Sequence, residues 1–411
     1  MADSTTLSED SPPLEGVRIL DLTRATSGPY CTQILADLGA DVVKLEEPPG
    51  PRGRDQIDPF NTIGGMDAYF LCVNRSKRSI AFPLGHERGP GLVHALAGAT
   101  DVVIENFRPG VAEKLGVGPT QLRAGNNRLI TCSLSGFGST GPLRDRAAFD
   151  ITVQAQTGVM SFIDRRDPAG RLAPIPLPVA DLLAGIYCAV AVPAALVRRA
   201  ATGQGAHIDV AMYDALLSWF VGFGVHQLNF GQPTDIQDKI LWGSFETKDR
   251  PLVITAHRPS QWQRFCAALD RHDWVEDSRF AAPADRANNI DELKTLIADV
   301  LVTRGADEWI AAFEREGLSF SDTFTMAETL EHPHTAERQM VIEVDDPSAG
   351  PIRLLGNPVR FAGCETAYSP PPRVGQHSVE VLAEWLGFGR DQLEDLVHSD
   401  FLYDPEFSPR T

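Results

Sequence analysis

Asp181 stands where a carboxylate could do covalent chemistry. It follows Pro176-Leu177-Pro178-Val179-Ala180 and precedes a strongly apolar stretch, the pattern of a helix start. Two roles share that position. A side-chain oxygen there can cap the first free amides of the helix. The same helix end favours an ionised carboxylate, and apolar surroundings strip it of water, conditions that suit a nucleophile forming a covalent intermediate. Spacing alone does not choose between them. Asp150, in Ala148-Phe149-Asp150-Ile151, also precedes a helical segment and reads as a cap. Asp209 and Asp214 flank a strand-to-helix step, IDVAMYDA, where structural roles are expected.

Cations are spread over the first third of the chain. Arg52 and Arg54 lie in a Gly/Pro loop, Lys77 and Arg78 precede an apolar run, and Arg108 and Lys114 flank another. Ligands of parallel sheets collect at the carboxyl ends of strands, so such cations could meet a phosphorylated ligand there or merely sit on the solvated surface. The turn after the first apolar run reads Asp21-Leu22-Thr23-Arg24-Ala25-Thr26-Ser27-Gly28-Pro29. It carries neither GxGxxG nor GxxxxGK[ST], which argues against a nucleotide redox cofactor or a P-loop. No GxSxG elbow is present. His332 and His334 lack the spacing of a zinc site, and no metal is expected.

The elements that must position these residues begin as alternating strands and helices. Val17–Leu22, Asp41–Leu45, Ser79–Leu84, Asp101–Glu105 and Leu129–Leu134 read as short strands, with helices over Gly28–Leu38 and Pro90–Ala97. That alternation predicts a parallel sheet in an α/β domain. A long apolar helix is expected over Leu182–Arg199, then a strand His207–Ala211. The pattern then changes. Phe245–Ala256 reads as a hairpin turning at Lys248–Arg250. Amphipathic helices follow near Gln261–Leu269, Ile290–Leu301 and Asp307–Glu316. Met340–Val344, Ile352–Leu355 and a helix near Val379–Leu386 look like a return to α/β structure. The division expected is a mobile tail over 1–13, a large domain over 14–225, a small α+β domain over 226–330 and a C-terminal return over 331–411.

The 411 residues are enough for two or more domains. The longest apolar candidate, Leu182–Leu196, is short and holds Pro193, so no membrane span is expected. The acidic, polar start lacks the features of a signal peptide. Six scattered cysteines without a CxxC pair fit a reducing cytoplasm. A net charge of −18 argues against nucleic acid and anionic membranes as partners, and requires a local basic cluster for any anionic substrate.

Several blocks, taken together, resemble the class III CoA-transferases, the group of formyl-CoA transferase and L-carnitine CoA-transferase that also contains the α-methylacyl-CoA racemases. They run from Leu14 to about Leu396. Among them are LEGVRILDLTRATSGPYCTQILADLGADVVKLEEPPG, DVVIENFRPGVAEKLG, LITCSLSGFGSTGP, FDITVQAQTGVM, PVADLLAGIYCAVAVPAAL, TGQGAHIDVAMYDALL and VGQHSVEVLAEWLG. The resemblance implies a Rossmann-like large domain built from both chain ends, a smaller inserted domain, and an interlocked homodimer.

It also implies chemistry. The family's nucleophilic aspartate falls in the block that reads PVAD here, so Asp181 is expected to form an aspartyl anhydride and then an aspartyl-CoA thioester. The substrates implied are an acyl-CoA donor and a free carboxylic acid acceptor, with coenzyme A as the only carrier. The CoA contacts implied are Arg24, Ala25, Thr26, Ser27, Arg54, Phe82, Asn106, Phe107 and Lys114. The chain departs from the family in three places. Pro51 replaces an aspartate near Arg54, Thr26 stands where glutamine is usual, and the glycine-rich flap of formyl-CoA transferase has no clear counterpart. Leu241-Trp242-Gly243-Ser244 is the candidate substitute. The rival of the same fold is a racemase or epimerase, which needs two opposed acid/base groups. Its histidine position is occupied by Phe149, which cannot move a proton. A short dicarboxylate acceptor with succinyl-CoA as donor is the acid pair expected.

Overall fold

The apolar runs become strands of one parallel sheet in a computed structural model of the chain, which describes residues 10–50, 53, 60–231, 239–256 and 258–407. The tail expected over 1–13 lies outside the described residues as far as residue 9, and so does Arg54. The strands are β1 (Arg18–Asp21), β2 (Asp41–Glu46), β3 (Arg78–Ala81), β4 (Val102–Glu105), β5 (Ile130–Ser135) and β6 (His207–Ala211). They pair in the order β3-β2-β1-β4-β5-β6, all parallel. This is the doubly wound order of dinucleotide-binding folds. Its direction reverses between β1 and β4, where a crevice opens at the carboxyl ends.

Each strand offers its two faces to different layers, because successive side chains alternate. Leu20, Val43, Ile80 and Val103 point into a core closed by α3 (Gly89–Gly98), α10 (Ser378–Leu386) and α11 (Arg390–His398). The side chains between them face α1 (Ser27–Asp37) and α5 (Val179–Thr202): Asp21 reaches Thr32 of α1, and Cys132 of β5 meets Cys188 of α5. Two further helices, α4 (Asp150–Thr157) and α6 (Met212–Ser218), pack on α5. The intervening α2 (Ala68–Asn74) is capped by Asp67, whose side chain accepts from the amides of Tyr69 and Phe70.

Helix α5 is longer than the Leu182–Arg199 expected. By length and composition it would suffice to cross a membrane. Here Ala184, Gly185, Cys188, Val192 and Ala195 bury one face. The opposite face leaves Ile186, Tyr187, Val190 and Val197 exposed, the last by 72%.

Clustering of contacts divides the chain into one unit of residues 1–219 with 338–411, and a second of 220–337, where the sequence placed its boundaries at 225/226 and 330/331. The second unit holds an antiparallel sheet in the order β9-β8-β7, from β7 (Trp242–Phe245), β8 (Leu252–Thr255) and β9 (Ser319–Asp322). Leu241-Trp242-Gly243-Ser244 thus runs into strand β7. Against the sheet lie α7 (Pro259–Ala268), α8 (Ile290–Leu301) and α9 (Ala306–Arg315). Trp262, Phe265, Trp274, Phe280, Trp309 and Phe313 fill this unit's core. The strands β10 (Val341–Asp346) and β11 (Gly350–Leu355) belong to the first unit as an antiparallel hairpin separate from the parallel sheet, where Val344 and Ile352 pack with Met66, Phe70 and Leu71. Helices α10 and α11 then close the core on one face of the parallel sheet, through Val381, Leu382, Trp385, Leu393 and Leu396.

Candidate active site

A cleft of about 290 Å³ opens at the reversal point of the sheet. Its walls come from the turns after β1, β4 and β5 and from the starts of α4 and α5. Arg24, Ala25, Ser27, Asn106, Phe107, Ser135, Phe149, Asp150 and Asp181 all line it.

The turn after β1 is built on a buried ionic network. Asp21 is fully buried. Its carboxylate accepts from the Thr23 amide at 2.8 Å, from the hydroxyls of Thr23 and Thr32, and from Lys77 Nζ at 3.2 Å. Lys44 Nζ donates to the Thr23 carbonyl. Burial alone would raise the Asp21 carboxyl, but Lys44, Lys77 and the two hydroxyls outweigh it and hold it far below the ordinary carboxylate range. Lys77 also donates to the Pro29 carbonyl and the Asn74 side chain, each at 2.9 Å. The cations Lys77 and Arg78 are therefore structural: Arg78 is taken by Asp41, Glu380 and Glu384.

Beyond Thr23 the backbone turns through Ala25 at φ 58°, a left-handed conformation unusual for a residue with a Cβ. Asn106, from the turn after β4, holds it there. Its Oδ1 accepts from the Arg24 amide at 2.9 Å, and its Nδ2 donates to the Arg24 carbonyl at 2.8 Å. Asn106 acts on the loop's main chain as well as lining the cleft. Nearby, the Phe107 amide donates to Glu105 at 2.7 Å, and burial pushes the Glu105 carboxyl up to about 7.

Asp181 occupies the first turn of α5, two residues inside the helix start at Val179, and is not its cap. The cap comes from another helix. Asp150 Oδ2 accepts from the amides of Ala180, at 2.7 Å, and Asp181, at 3.2 Å. Asp150 was expected to cap the helix it begins; instead it caps the next one. Gln154, one turn along α4, donates to Asp150 and accepts from the Ile175 amide at 2.9 Å, which fixes the approach to α5. Ser27 lines the cleft beside Asp181, and its hydroxyl lowers the Asp181 carboxyl. Desolvation first, and then the Asp150 charge, push Asp181 up to about 6 against that effect. The helix end therefore does not keep Asp181 at an ordinary carboxylate's acidity, as its position suggested. Its amides have been given to Asp150.

Close helix packing brings Ser27 to Asp181. Gly185 lies one turn beyond Asp181, and a Cβ there would sit 2.7 Å from the Ser27 carbonyl oxygen. Gly136, at the end of β5, does the same for the next loop: its added Cβ would fall 2.0 Å from Ala148 Cβ. That loop is pinned by Ser139, whose amide and hydroxyl donate to Asp209, and it brings Arg144 and Arg146 to the cleft. Neither arginine was singled out from the sequence, although both lie in the connection that leaves the carboxyl end of β5.

Three expected contacts are placed elsewhere. Phe82 is fully buried; its ring packs against Phe401 with centroids 5.5 Å apart, so it cannot touch a ligand in the cleft. Thr26 is buried behind the loop, outside the lining. Lys114 is exposed at the end of the short helix Val111–Lys114, also outside the lining. Arg108 and Phe149 do line the cleft, and Phe149 is 71% exposed.

Comparison with known proteins agrees over nearly the whole chain. A model described as CoA-transferase family III matches residues 14–378. An acyl-CoA transferase of Fusarium pseudograminearum is 36% identical over 92% of this chain and 86% of its own. The succinyl-CoA:glutarate CoA-transferase of Mus musculus is 31% identical over 94% of this chain and 89% of its own. The crystal structure of Rv3272 from Mycobacterium tuberculosis superposes with a TM-score of 0.79 at 34% identity, over 90% of this chain and 98% of that one.

Proposed function

The chain belongs to CoA-transferase family III and is an acyl-CoA transferase acting on carboxylic acids, and we propose that it works through covalent intermediates on Asp181 with a short dicarboxylic acid as acceptor. The observation that carries this reading is the desolvated Asp181 carboxylate, beside Ser27 in a cleft that four arginines also line.

A carboxylate oxygen of Asp181 attacks the thioester carbonyl of the donor. The C–S bond breaks, and a mixed anhydride and CoA thiolate result. The thiolate attacks the aspartyl carbonyl, breaks the anhydride C–O bond and frees the donor acid. The acceptor carboxylate then attacks the aspartyl-CoA thioester, releases the thiolate and forms a second anhydride. The thiolate takes the acceptor's acyl group and restores the Asp181 carboxylate. One acyl bond replaces another at every step, so the energy of the thioester is kept. Water must stay out, because it would hydrolyse either anhydride.

At neutral pH a carboxyl of about 6 is largely ionised, yet more basic than an ordinary aspartate and so a better nucleophile. Phe149 supports transfer over racemisation, since it supplies no second acid/base group beside the cleft. Incubation with an acyl-CoA donor followed by hydroxylamine converts an aspartyl anhydride or thioester to a hydroxamate. Peptide mass spectrometry is expected to find it on Asp181. A modification on another residue, or none during active transfer, would overturn the reading.

Arg24, Arg108, Arg144 and Arg146 supply local positive charge in a chain of net charge −18. Arg24 leans toward Glu47 at 3.6 Å, and Arg146 donates to Gln156 at 3.1 Å. Arg144 lies 3.4 Å from the exposed carboxylate of its neighbour Asp145, and is the arginine we assign to the acceptor's second carboxylate. Support comes from the glutarate transferase among the relatives, whose named acids are both dicarboxylic. In an acceptor screen, Arg144→Gln should raise KM for dicarboxylates at least about tenfold, the scale of one charged hydrogen bond, and leave monocarboxylates unchanged. An equal loss for both acid classes would remove the assignment.

We also propose a homodimer. The exposed stripe Ile186, Tyr187, Val190 and Val197 on α5 is continuous apolar surface of the kind that marks an interface. Sedimentation at micromolar concentration should give twice the 44.7 kDa of the chain. A lone 44.7 kDa species would sink the idea.

A further inference from the structure

Asp150 lies 30 residues before Ala180, on a different helix, and makes every recorded contact as an acceptor, the role of an ionised carboxylate. Its position has a specific consequence. Helix α5 leaves its first amides without partners inside the helix. The Val179 amide turns back to the Leu177 carbonyl at 2.7 Å, and the Leu182 amide bonds the Pro178 carbonyl at 2.9 Å. The amides between them, of Ala180 and Asp181, are the donors that could have stabilised a charge on Asp181. Both are taken by Asp150.

We propose that Asp150 is a positioning residue for the nucleophile: it occupies the free amides of the helix start and holds a fixed negative charge beside Asp181, so that Asp181 is a stronger nucleophile and its acylated, uncharged forms are favoured over the free carboxylate. The inference rests on the assignment of Asp181 as nucleophile. The physical argument is direct. Two carboxylates at one helix end repel, and either protonation or acylation of Asp181 removes the repulsion. The interaction that raises the proton affinity of Asp181 therefore raises its affinity for an acyl group as well.

The other elements around Asp181 contribute different groups. Helix α1 gives Ser27, β5 gives Ser135, and α6 gives Met212. The charged side chains lining the cleft are Arg24 from the turn after β1, Arg108 from the turn after β4, and Arg144 and Arg146 from the loop after β5. These cations would favour an ionised Asp181. Asp150 is the carboxylate that opposes them within the lining. Gln154 keeps it from swinging away, because the same amide group also bonds the main chain of Ile175.

Asp150→Asn tests this, since its carbonyl oxygen can still cap α5 while the charge is lost. Three results are expected. The acid limb of kcat/KM should move from about 6 toward the ordinary aspartate range. The fraction of enzyme trapped as hydroxamate at saturating donor should fall about tenfold for each pH unit by which that limb moves. The melting temperature and KM for the donor should stay near wild type. If Asp150→Asn does not fold, Asp150→Ser keeps a cap without charge and gives the same readouts. An acid limb and a trapped fraction both unchanged in a folded variant would overturn the proposal. If wild-type enzyme itself yields no hydroxamate on Asp181, the assignment of the nucleophile falls instead, so the two failures are distinguishable.

Discussion

Asp181→Asn is expected to lose CoA transfer by on the order of 10⁴-fold or more, the scale on which a covalent nucleophile is missed, and to gain stability at the same time. The gain follows from linkage. The folded-state carboxyl of Asp181 is raised to about 6, whereas in the unfolded chain it titrates as an ordinary aspartate. Between those values the folded protein binds more protons than the unfolded one, so this group's contribution falls as pH rises through that window. Above it the full cost of holding the charge is present. Asparagine removes the charge and should be more stable by on the order of 2 kcal/mol at pH 8, with little difference near pH 4. Urea unfolding of both proteins at the two pH values checks this. A variant less stable than wild type at pH 8 would mean that Asp181 is not under electrostatic strain.

The largest loss of stability is expected from Lys77→Met. The Lys77 and Asp21 side chains are both fully buried and 3.2 Å apart. Removing Lys77 leaves the fully buried Asp21 carboxylate with Lys44 as its remaining cation, at a cost of about 3 kcal/mol. Replacing both, as Asp21→Asn with Lys77→Met, should recover part of that loss: the buried carboxylate charge is gone, while buried Lys44 loses its counter-ion. Chemical denaturation of the single and double variants gives the coupling. Activity should respond differently. Asp21 also fixes Thr23, and Lys44 bonds the Thr23 carbonyl, so the double variant loosens the turn that leads to Arg24 and Ser27. A stable double variant with a raised KM for the donor is the expected outcome. A single variant as stable as wild type would show that the pair is not a structural support.

The parallel sheet was legible because its strands are short runs rich in apolar residues between helical patterns; all lie within a residue of their expected place except β3, which ends three residues before the expected Leu84. The helix carrying Asp181 was legible too, but not its cap. A cap in sequence is sought next to the helix it serves, and Asp150 reaches α5 only because α4 packs on it. Arg144 and Arg146 escaped for a similar reason: their side chains gain meaning only once Gly136 lets the loop fold against Ala148. The misplacement of Phe82 was avoidable. Ile80, Phe82 and Leu84 alternate along one strand and its extension, and all three enter the same core. That pattern already puts Phe82 indoors. That β10 and β11 pair with each other was not legible, because two apolar runs say nothing of which partner they will choose.

Gly185 bears on how this protein can be changed. Alanine at a glycine within a helix is an ordinary route to stabilisation, worth about 1 kcal/mol. Here the added methyl would press on the Ser27 carbonyl and drive α1 from α5, parting the hydroxyl from the carboxylate it steadies. The hydrogen atom at that position sets how closely α1 approaches the helix of the nucleophile. A design protocol that scores only the helix would improve the scaffold and dismantle the catalyst.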